Sequence, residues 1–444
     1  MSAFELFTNE LQHRIPQTSI SIEANILHNY AVDGLSPQAV VTPTTIEETA
    51  QVVALAHHHH LSLLPRGNGA QMNLGGVPDQ LDILLLTNKL DQLLEHEAPD
   101  LTCHVEAGMT LAALQTQLAT KGQWLALDPP VAGQITIGGL LATNSSGPKR
   151  LRYGTARDLV IGLRVVQADG QIARSGGRVV KNVAGYDLNK LYIGSLATLG
   201  VIVEANFKLH PLPSSERTLL LTFVTIQDTM QTAMAITGSL LQPTALELID
   251  SEAAGAMAHL FGLNLPTSGY TLAIHFEGSP GSIERQIDTT CLLARQYNAV
   301  MSDDLEGDEH VSFWNVLKEH IQGRLTCKVS LRVSQVATYL NRVTQICRQY
   351  DLAPAVVGHV GNGILYIQLR PSDAVQQVVA AIDDLRIHAL AAHGHLVVEH
   401  CPAELKSSVS IWGEPGKNFY MMQRLKQQFD PQNTFVRGRF LGGL

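Results

Sequence analysis

Cysteine is scarce in this chain of 444 residues: Cys103, Cys291, Cys327, Cys347 and Cys401, with no two spaced as C-x-x-C. An odd, scattered set argues against a disulfide framework and for a reducing compartment. It also argues against an iron–sulfur cluster held by this chain alone, which would need four grouped thiolates. Positive charge is short as well. Thirty-one Lys and Arg stand against forty Asp and Glu, a formal net charge of -9, which argues against a nucleic-acid binder dependent on a basic surface. Long apolar runs are missing: residues 83–86 and 219–226 are among the longest, far below the ~20 residues a spanning helix needs. The opening MSAFELFTNELQHR is acidic and lacks an apolar core segment, so it reads as no signal peptide. Together these absences point to a cytoplasmic protein, with any membrane association made through partners.

What the chain has in quantity is glycine between apolar segments. Hydrophobic residues make up 45% and charged residues 16%, enough apolar material for two to three domains with their own cores. PRGNGAQMNLGG at 65–76 follows an apolar strand, and ITIGGLLATNSSG (135–147), YGTARD (153–158) and GGRVVKNVAGYDLNKLYIGSLATLG (176–200) follow later. Such glycines mark positions of positive φ or close approach to a ligand. Several in one half of a chain suggest a long ligand lying along many loops, and a phosphate-bearing cofactor is the natural candidate. PRGNGAQ can form a nest of amide groups for an anion. It is neither a Rossmann fingerprint nor a Walker A loop, and taken alone it also reads as an ordinary glycine-rich hairpin.

The periodicity predicts helix at 6–13, then a strand ending at Val40 and Val41. A Thr45/Glu48 capping box opens the next helix. Strands at 61–67 and 81–86 flank the glycine turn, and Asp169-Gly170 marks a hairpin. Pro211 and Pro213 look like a boundary. Beyond it, strands near 218–224, 270–276, 329–333 and 364–369 alternate with helices near 226–241, 282–297, 335–350 and 374–393. That alternation predicts an α+β second domain with one antiparallel sheet. An amphipathic helix stops at Asp430-Pro431 before an extended tail. The expected division is 1–213, 214–414 and 415–444.

Taken in order, VVTPTTIEETAQVVALA…LLPRGNGAQMNLGG, TIGGLLATNSSGPKRLRYGTARDLVIGLRVVQADG and KNVAGYDLNKLYIGSLATLGVI closely resemble the FAD-binding domain of the vanillyl-alcohol-oxidase / p-cresol-methylhydroxylase superfamily. Within it, GGRVVKNVAGYDLNKLYIGS and RLKQQFDPQNTFVRGRFLGGL are most similar to the FAD-binding subunits of bacterial glycolate oxidases (glycolate dehydrogenases). The fold this implies is α+β: a two-lobed PCMH-type FAD-binding domain, then an α+β cap with antiparallel sheet. By resemblance, Arg66, Gly67, Asn68, Gly69, Ala70 and Gln71 cradle the pyrophosphate. Pro129, Thr136, Ile137, Gly138 and Gly139 line the flavin and ribityl chain. Asn144, Ser145 and Gly147 continue that wall, closed by Tyr153 and Gly154. Gly194, Ser195, Gly200, Val201 and Ile202 sit near the adenine end or the ring. Amides of three separated loops, around Asn68, Gly139 and Gly194, are thereby expected to converge on one dinucleotide. Ala197 stands where the family usually has glycine. Ala70 stands where a covalently attaching histidine often lies, so non-covalent FAD is expected.

Oxidation of a 2-hydroxy acid needs a group for the hydroxyl proton, a cation for the carboxylate, and a hydride acceptor. Relatives in the D-2-hydroxyacid dehydrogenase branch carry GHxGDGNxH and EHG, whose two histidines and glutamate hold a divalent metal while the final histidine acts on substrate. Here the segments read GHVGNGILY (358–366) and EHC (399–401). His359, Glu399 and His400 match, whereas Asn362, Tyr366 and Cys401 depart. A phenol is a poor zinc ligand, so no metal is expected, and His359 and His400 are the catalytic candidates, or else plain polar residues at strand ends. His57 to His60 cannot share one helix face and read as a helix C-terminus. Lys181, Tyr186 and Lys190 read as packing of the flavin-domain core or contacts to substrate or partner. Arg324 and Lys328 are a carboxylate clamp or surface charge. RGRF at 437–440 departs from the family's NPGR.

The implied activity is oxidation of glycolate, or a related small 2-hydroxy acid, to glyoxylate or the matching 2-oxo acid, with electrons leaving to a non-nicotinamide acceptor. The implied partners are an iron–sulfur subunit and a second flavin subunit. The alternatives are a stand-alone FAD-dependent D-2-hydroxyacid dehydrogenase and a non-catalytic scaffold that keeps the flavin fold.

Overall fold

A computed structural model describes residues 1–177, 186–261, 265–266, 268–370 and 375–444. Two small sheets occupy the first half. The parallel strands Ala39–Thr42, Ile83–Leu86 and Leu63–Arg66 form one, with Ser19–Ser21 added antiparallel. Ile83–Leu86 is buried at all four positions, as a central strand covered on both faces must be. Pro65 is tolerated because its strand lies at the sheet edge. The crossover helix Ile46–His58 buries Val52, Val53, Leu55 and Ala56. Only half of its expected capping box forms. Thr45 Oγ1 accepts from the Glu48 amide (3.1 Å), but Glu48 turns its carboxylate to the Thr44 amide (2.7 Å) and the Thr18 hydroxyl (3.0 Å).

The second small sheet is antiparallel, in the order Leu93–Glu97, Thr102–Glu106, Val201–Lys208, Val160–Val166, Ile172–Gly176. Its last two strands form the hairpin predicted at Asp169-Gly170, with Gly170 at φ +84°.

The second half is one eight-stranded antiparallel sheet. Its order is Met301–Leu305, Ser215–Phe223, Tyr270–Gly278, Ala245–Asp250, Ala355–His359, Ile364–Gln368, Thr326–Ser330, His395–His400. It decomposes into two βαββαβ units joined edge to edge through Ala245–Asp250 and Ala355–His359. The helices Ile226–Thr237, Pro280–Gln296, Val336–Gln349 and Val375–Ala391 cover one face over a core that includes Phe223, Phe276 and Leu365. Ser251–Phe261 and Gly307–Ile321, neither expected, cover part of the other. The remainder of that face looks at the first half.

The tail returns to the first half. Lys426 is buried and donates to Asp430 Oδ2 (2.6 Å) and to the carbonyls of Thr198 and Phe435. Asp430 accepts from the Thr434 and Phe435 amides. This turn sets residues 434–436 on the open edge of the parallel sheet, where Leu63 donates to Thr434 O (2.7 Å) and accepts from the Val436 amide (3.1 Å). Among the described residues no helix is long and apolar enough to cross a membrane.

Candidate functional site

A cleft opens between the two small sheets. Of the expected cofactor residues, Arg66, Gly67, Asn68, Gly69, Ala70, Gln71, Thr136, Gly138, Gly139, Val201 and Ile202 line it. The turn after strand Leu63–Arg66 forms one wall. Gly69 has φ +84°, and a β-carbon there would lie 2.6 Å from the Arg66 guanidinium. The amides of Asn68, Gly69, Ala70 and Gln71 donate to no protein acceptor among the described residues. Arg66 lies over the Tyr30 ring (5.1 Å to the centroid) and pairs with no carboxylate among those residues. Four free amides beside an unpaired guanidinium form a concavity suited to a pyrophosphate.

The helix Ile137–Thr143 forms the opposite wall, but its first amides are already used. Ile137 donates to Met109 O, Gly138 to Ala107 O, and Gly139 to Thr136 Oγ1 (3.2 Å). The Gly194 amide is spent on Leu141 O. Gly194 is not among the lining residues, whereas its neighbours Leu196 and Ala197 are, so all three expected loops reach the cleft although Gly194 itself does not.

Other expected residues stand behind the wall or away from it. Ile137 is fully buried in the core, Ser195 bonds Tyr192 O, and Asn144 ends its helix at φ 50°. Gly147 abuts Asp128 O, Gly154 abuts Asp158, and Gly200 abuts Val165. Pro129 and Ser145 also lie outside the lining. Tyr153 turns to the large sheet and donates to Glu277 Oε2 (2.5 Å).

Sequence reading missed Thr87, Ala142, Thr143 and Arg439 among the lining residues. Arg439 is buried and donates to the carbonyls of Met72 (2.7 Å), Leu74 (2.5 Å) and Gly76 (3.3 Å), while pairing with Asp33 (2.9 Å). Its signal was the departure of RGRF from the family pattern: the tail's arginine holds the end of the glycine turn.

On the large sheet, polar side chains gather on the strands nearest the first half. Glu247 lies beside His359, and Lys328 beside Tyr366, in cross-strand register. His359 Nδ1 is 2.7 Å from Glu247 Oε2, both buried, and His359 Nε2 has no partner among the described residues. Burial pushes the Glu247 carboxyl up, against the pull of His359. His400 Nδ1 accepts from Asn73 Nδ2 (3.0 Å), just beyond the glycine turn, and burial lowers its pKa and keeps it neutral.

The metal-site pattern is not kept. Lys328 donates to Glu399 Oε1 (2.7 Å) and lies 5.5 Å from the Tyr366 ring centroid. Burial favours the neutral amine, yet Glu399 and Tyr366 hold the Lys328 pKa above its ordinary value. An ammonium thus occupies Glu399, Glu247 occupies His359 Nδ1, and Tyr366 offers a phenol. These residues do not fit a divalent ion.

The remaining candidates have other fates. His57 contacts Thr434 (2.8 Å) and His59 contacts Glu10 (2.8 Å), in separate directions. Arg324 is an exposed partner of Glu404. Tyr186 is exposed and Lys190 pairs with Asp187, so neither packs a core; Lys181 lies outside the described residues.

Comparison with known proteins agrees with this layout. Residues 37–176 match the FAD binding domain family, and residues 212–440, just over half the chain, match the family of FAD linked oxidases, C-terminal domain. The chain belongs to the FAD-linked oxidases. It is an FAD-dependent oxidoreductase of PCMH-type fold. Glycolate oxidase subunit GlcD of Bacillus subtilis is 29% identical over 91% of this chain and 88% of its own length. D-lactate dehydrogenase of Archaeoglobus fulgidus is 26% identical over 98% and 96%. Among solved structures, p-cresol methylhydroxylase superposes with a TM-score of 0.79 at 16% identity, covering 98% of this chain and 96% of its own. Alkyldihydroxyacetonephosphate synthase gives 0.75 at 18%, covering 97% and 84%.

Proposed function

We propose that this FAD-linked oxidase oxidises glycolate, or a near 2-hydroxy acid, to the 2-oxo acid as the FAD-binding subunit of a larger complex. In this reading residues 1–213 hold FAD, 214–414 form a cap, and 415–444 tie the two together. The observation that carries it is the cleft, with four free amides and the Arg66 guanidinium along one wall. No His, Cys or Tyr lines that cleft among the described residues, which favours dissociable FAD.

FAD, when bound, supplies the acceptor for the substrate hydride. The chain's own residues divide the proton work. Glu247 accepts His359 Nδ1–H and so leaves the Nε2 lone pair free to take the hydroxyl proton. Asn73 donates to His400 Nδ1, so the ring N–H of His400 sits on Nε2 and can donate a hydrogen bond to a developing oxyanion while keeping its proton. Lys328 supplies fixed positive charge nearby. Electrons then pass to a non-nicotinamide acceptor through an iron–sulfur subunit and a second flavin subunit. The five dispersed free cysteines support an external cluster, and the relative named as a glycolate oxidase subunit supports a complex.

The near full-length match to D-lactate dehydrogenases favours a second reading, a stand-alone D-2-hydroxyacid dehydrogenase. One experiment separates the two. The purified chain is loaded with FAD and mixed with glycolate or D-lactate, and flavin bleaching and dye reduction are followed with and without partner subunits. The subunit reading expects yellow protein, flavin released on denaturation, and turnover only with partners. Turnover by the chain alone supports the second reading, and a colourless protein that takes up no FAD overturns both.

A further inference from the structure

A second cluster lies where the large sheet meets the first half, apart from the cleft and from His359. Strands Ser215–Phe223 and Tyr270–Gly278 set Glu216 opposite Glu277 and Thr218 opposite His275. Helix Gly307–Ile321 lays His310 and Trp314, one turn apart, over the same spot. Glu216, His275 and His310 each present one ligand atom, all within 4.8 Å of one another.

Three observations indicate that the cluster is built to receive something. His275 is 1% exposed, and among the described residues its Nε2 has only long contacts, to Glu216 Oε1 at 3.4 Å and Glu277 Oε1 at 3.9 Å. A buried ring nitrogen held only by long contacts is poorly satisfied, and a closer ligand would relieve that cost. Next, the His310 ring is held from outside. Its Nδ1 lies 2.8 Å from Thr218 Oγ1, which accepts from Trp314 Nε1 (2.7 Å), the kind of outer hydrogen bond that orients metal-binding imidazoles. Last, charge is unbalanced. Lys149 bridges Glu216 (2.8 Å) and Glu277 (2.6 Å), one cation against two carboxylates, and Tyr153 adds only a neutral hydroxyl to Glu277.

Protonation states agree with that geometry. Burial lowers both imidazoles, His310 to about 4, so each keeps a lone pair at neutral pH. Burial pushes Glu216 up, but His275 and Lys149 more than offset it and hold the carboxyl well below its ordinary value.

We propose that Glu216, His275 and His310 bind a divalent cation of the zinc class at this junction. Two imidazoles and one carboxylate suit Zn²⁺, Co²⁺ or Ni²⁺ rather than Mg²⁺ or Ca²⁺, which prefer oxygen. Bonds of ~2.0–2.2 Å require the ligands to close in from their present spacing. Glu216, whose side chain is 32% exposed, supplies both the movement and the way in, and Lys149 keeps Glu277 when Glu216 turns. The ion would sit on residues of the large sheet and its helix, beside Lys149 and Tyr153 of the first half, which stay joined to the sheet through Glu277.

The test uses the FAD-loaded, metal-stripped full chain. Zn²⁺ is titrated by calorimetry, and Co²⁺ by visible absorption with imidazole detection by electron spin resonance. The expected result is one ion per chain with two imidazole ligands. The double variant H275Q/H310Q should lose more than the ~10–100-fold in affinity that follows removal of an outer hydrogen-bond partner alone. Glu216→Gln, at a partly exposed position, provides the same reading should the double variant fail to hold FAD. Glu399→Gln should keep the ion. Absence of Zn²⁺ binding to the wild-type chain at about 100 μM, unchanged binding in Glu216→Gln, or loss of the ion in Glu399→Gln would each overturn the proposal. None of these readouts depends on turnover, so the substrate assignment stands or falls separately.

Discussion

Gly67→Ala tests whether the glycine turn and the opposite helix form one cofactor-holding unit. A β-carbon at Gly67 would lie 2.2 Å from Thr136 Oγ1, 2.8 Å from its Cγ2 and 3.0 Å from its Cβ. Thr136 is 2% exposed and caps helix Ile137–Thr143 through the Gly139 amide, so it has nowhere to retreat. Overpacking costs about 1–3 kcal/mol, and displacing the cap adds about 1 kcal/mol. If that strain falls on the FAD-binding form, affinity drops about 30- to 1,000-fold. The assay is titration of apoprotein with FAD, read by quenching of flavin fluorescence. Thr136→Ala removes the two atoms in worst contact. In that background Gly67→Ala should cost less than about 1 kcal/mol, giving a large coupling in the double-mutant cycle. Gly133→Ala, with nothing within 4 Å of its β-carbon, is the silent control. FAD binding by Gly67→Ala within about threefold of wild type would refute the reasoning.

Further outcomes follow from other sites. Arg439→Met leaves three carbonyls of the turn without their donor and Asp33 with Lys406 as its remaining cation; a loss of about 1–3 kcal/mol is expected in urea unfolding, together with loss of FAD. Ala197 sits at φ +59°, where a side chain costs about 1–2 kcal/mol, so Ala197→Gly should be neutral or slightly stabilising. A melting temperature lowered by several degrees would contradict that. His320 is buried with Nε2 unpartnered among the described residues, and burial lowers its pKa to about 4. Its unfolded form binds a proton first, so stability is retained above about pH 6.5 and lost as pH falls toward 4. Between pH 7.5 and 5 this one group accounts for a loss of about 2 kcal/mol, and His320→Gln should flatten the slope. An unchanged slope in the variant would count against the assignment.

The glycine turn, the hairpin at Asp169-Gly170 and the buried strand at 83–86 were legible because each rests on local chemistry. A positive φ, a two-residue turn and an unbroken apolar run carry their own signatures. The four helices over the large sheet were legible by periodicity. The strands Ala245–Asp250 and Ala355–His359 were not. They are short and buried, and Glu247 and His359 interrupt their apolar pattern with a pair that only the sheet register reveals. At the cleft, resemblance placed the right segments but not the right atoms. Whether an amide is free depends on distant carbonyls such as Ala107 O and Leu141 O. Lys328 offered two readings in sequence, clamp or surface, and only its strand pairing put it against Glu399 and Tyr366.

The pairing of residues 434–436 with Leu63, and the reach of Arg439 to the glycine turn, make the cleft a product of both ends of the chain. During synthesis the parallel sheet would emerge early with one edge bare, and the turn would lack its arginine until the large sheet had already been made. Flavin capture is therefore expected to be a late event in maturation, following assembly of the sheet that covers it.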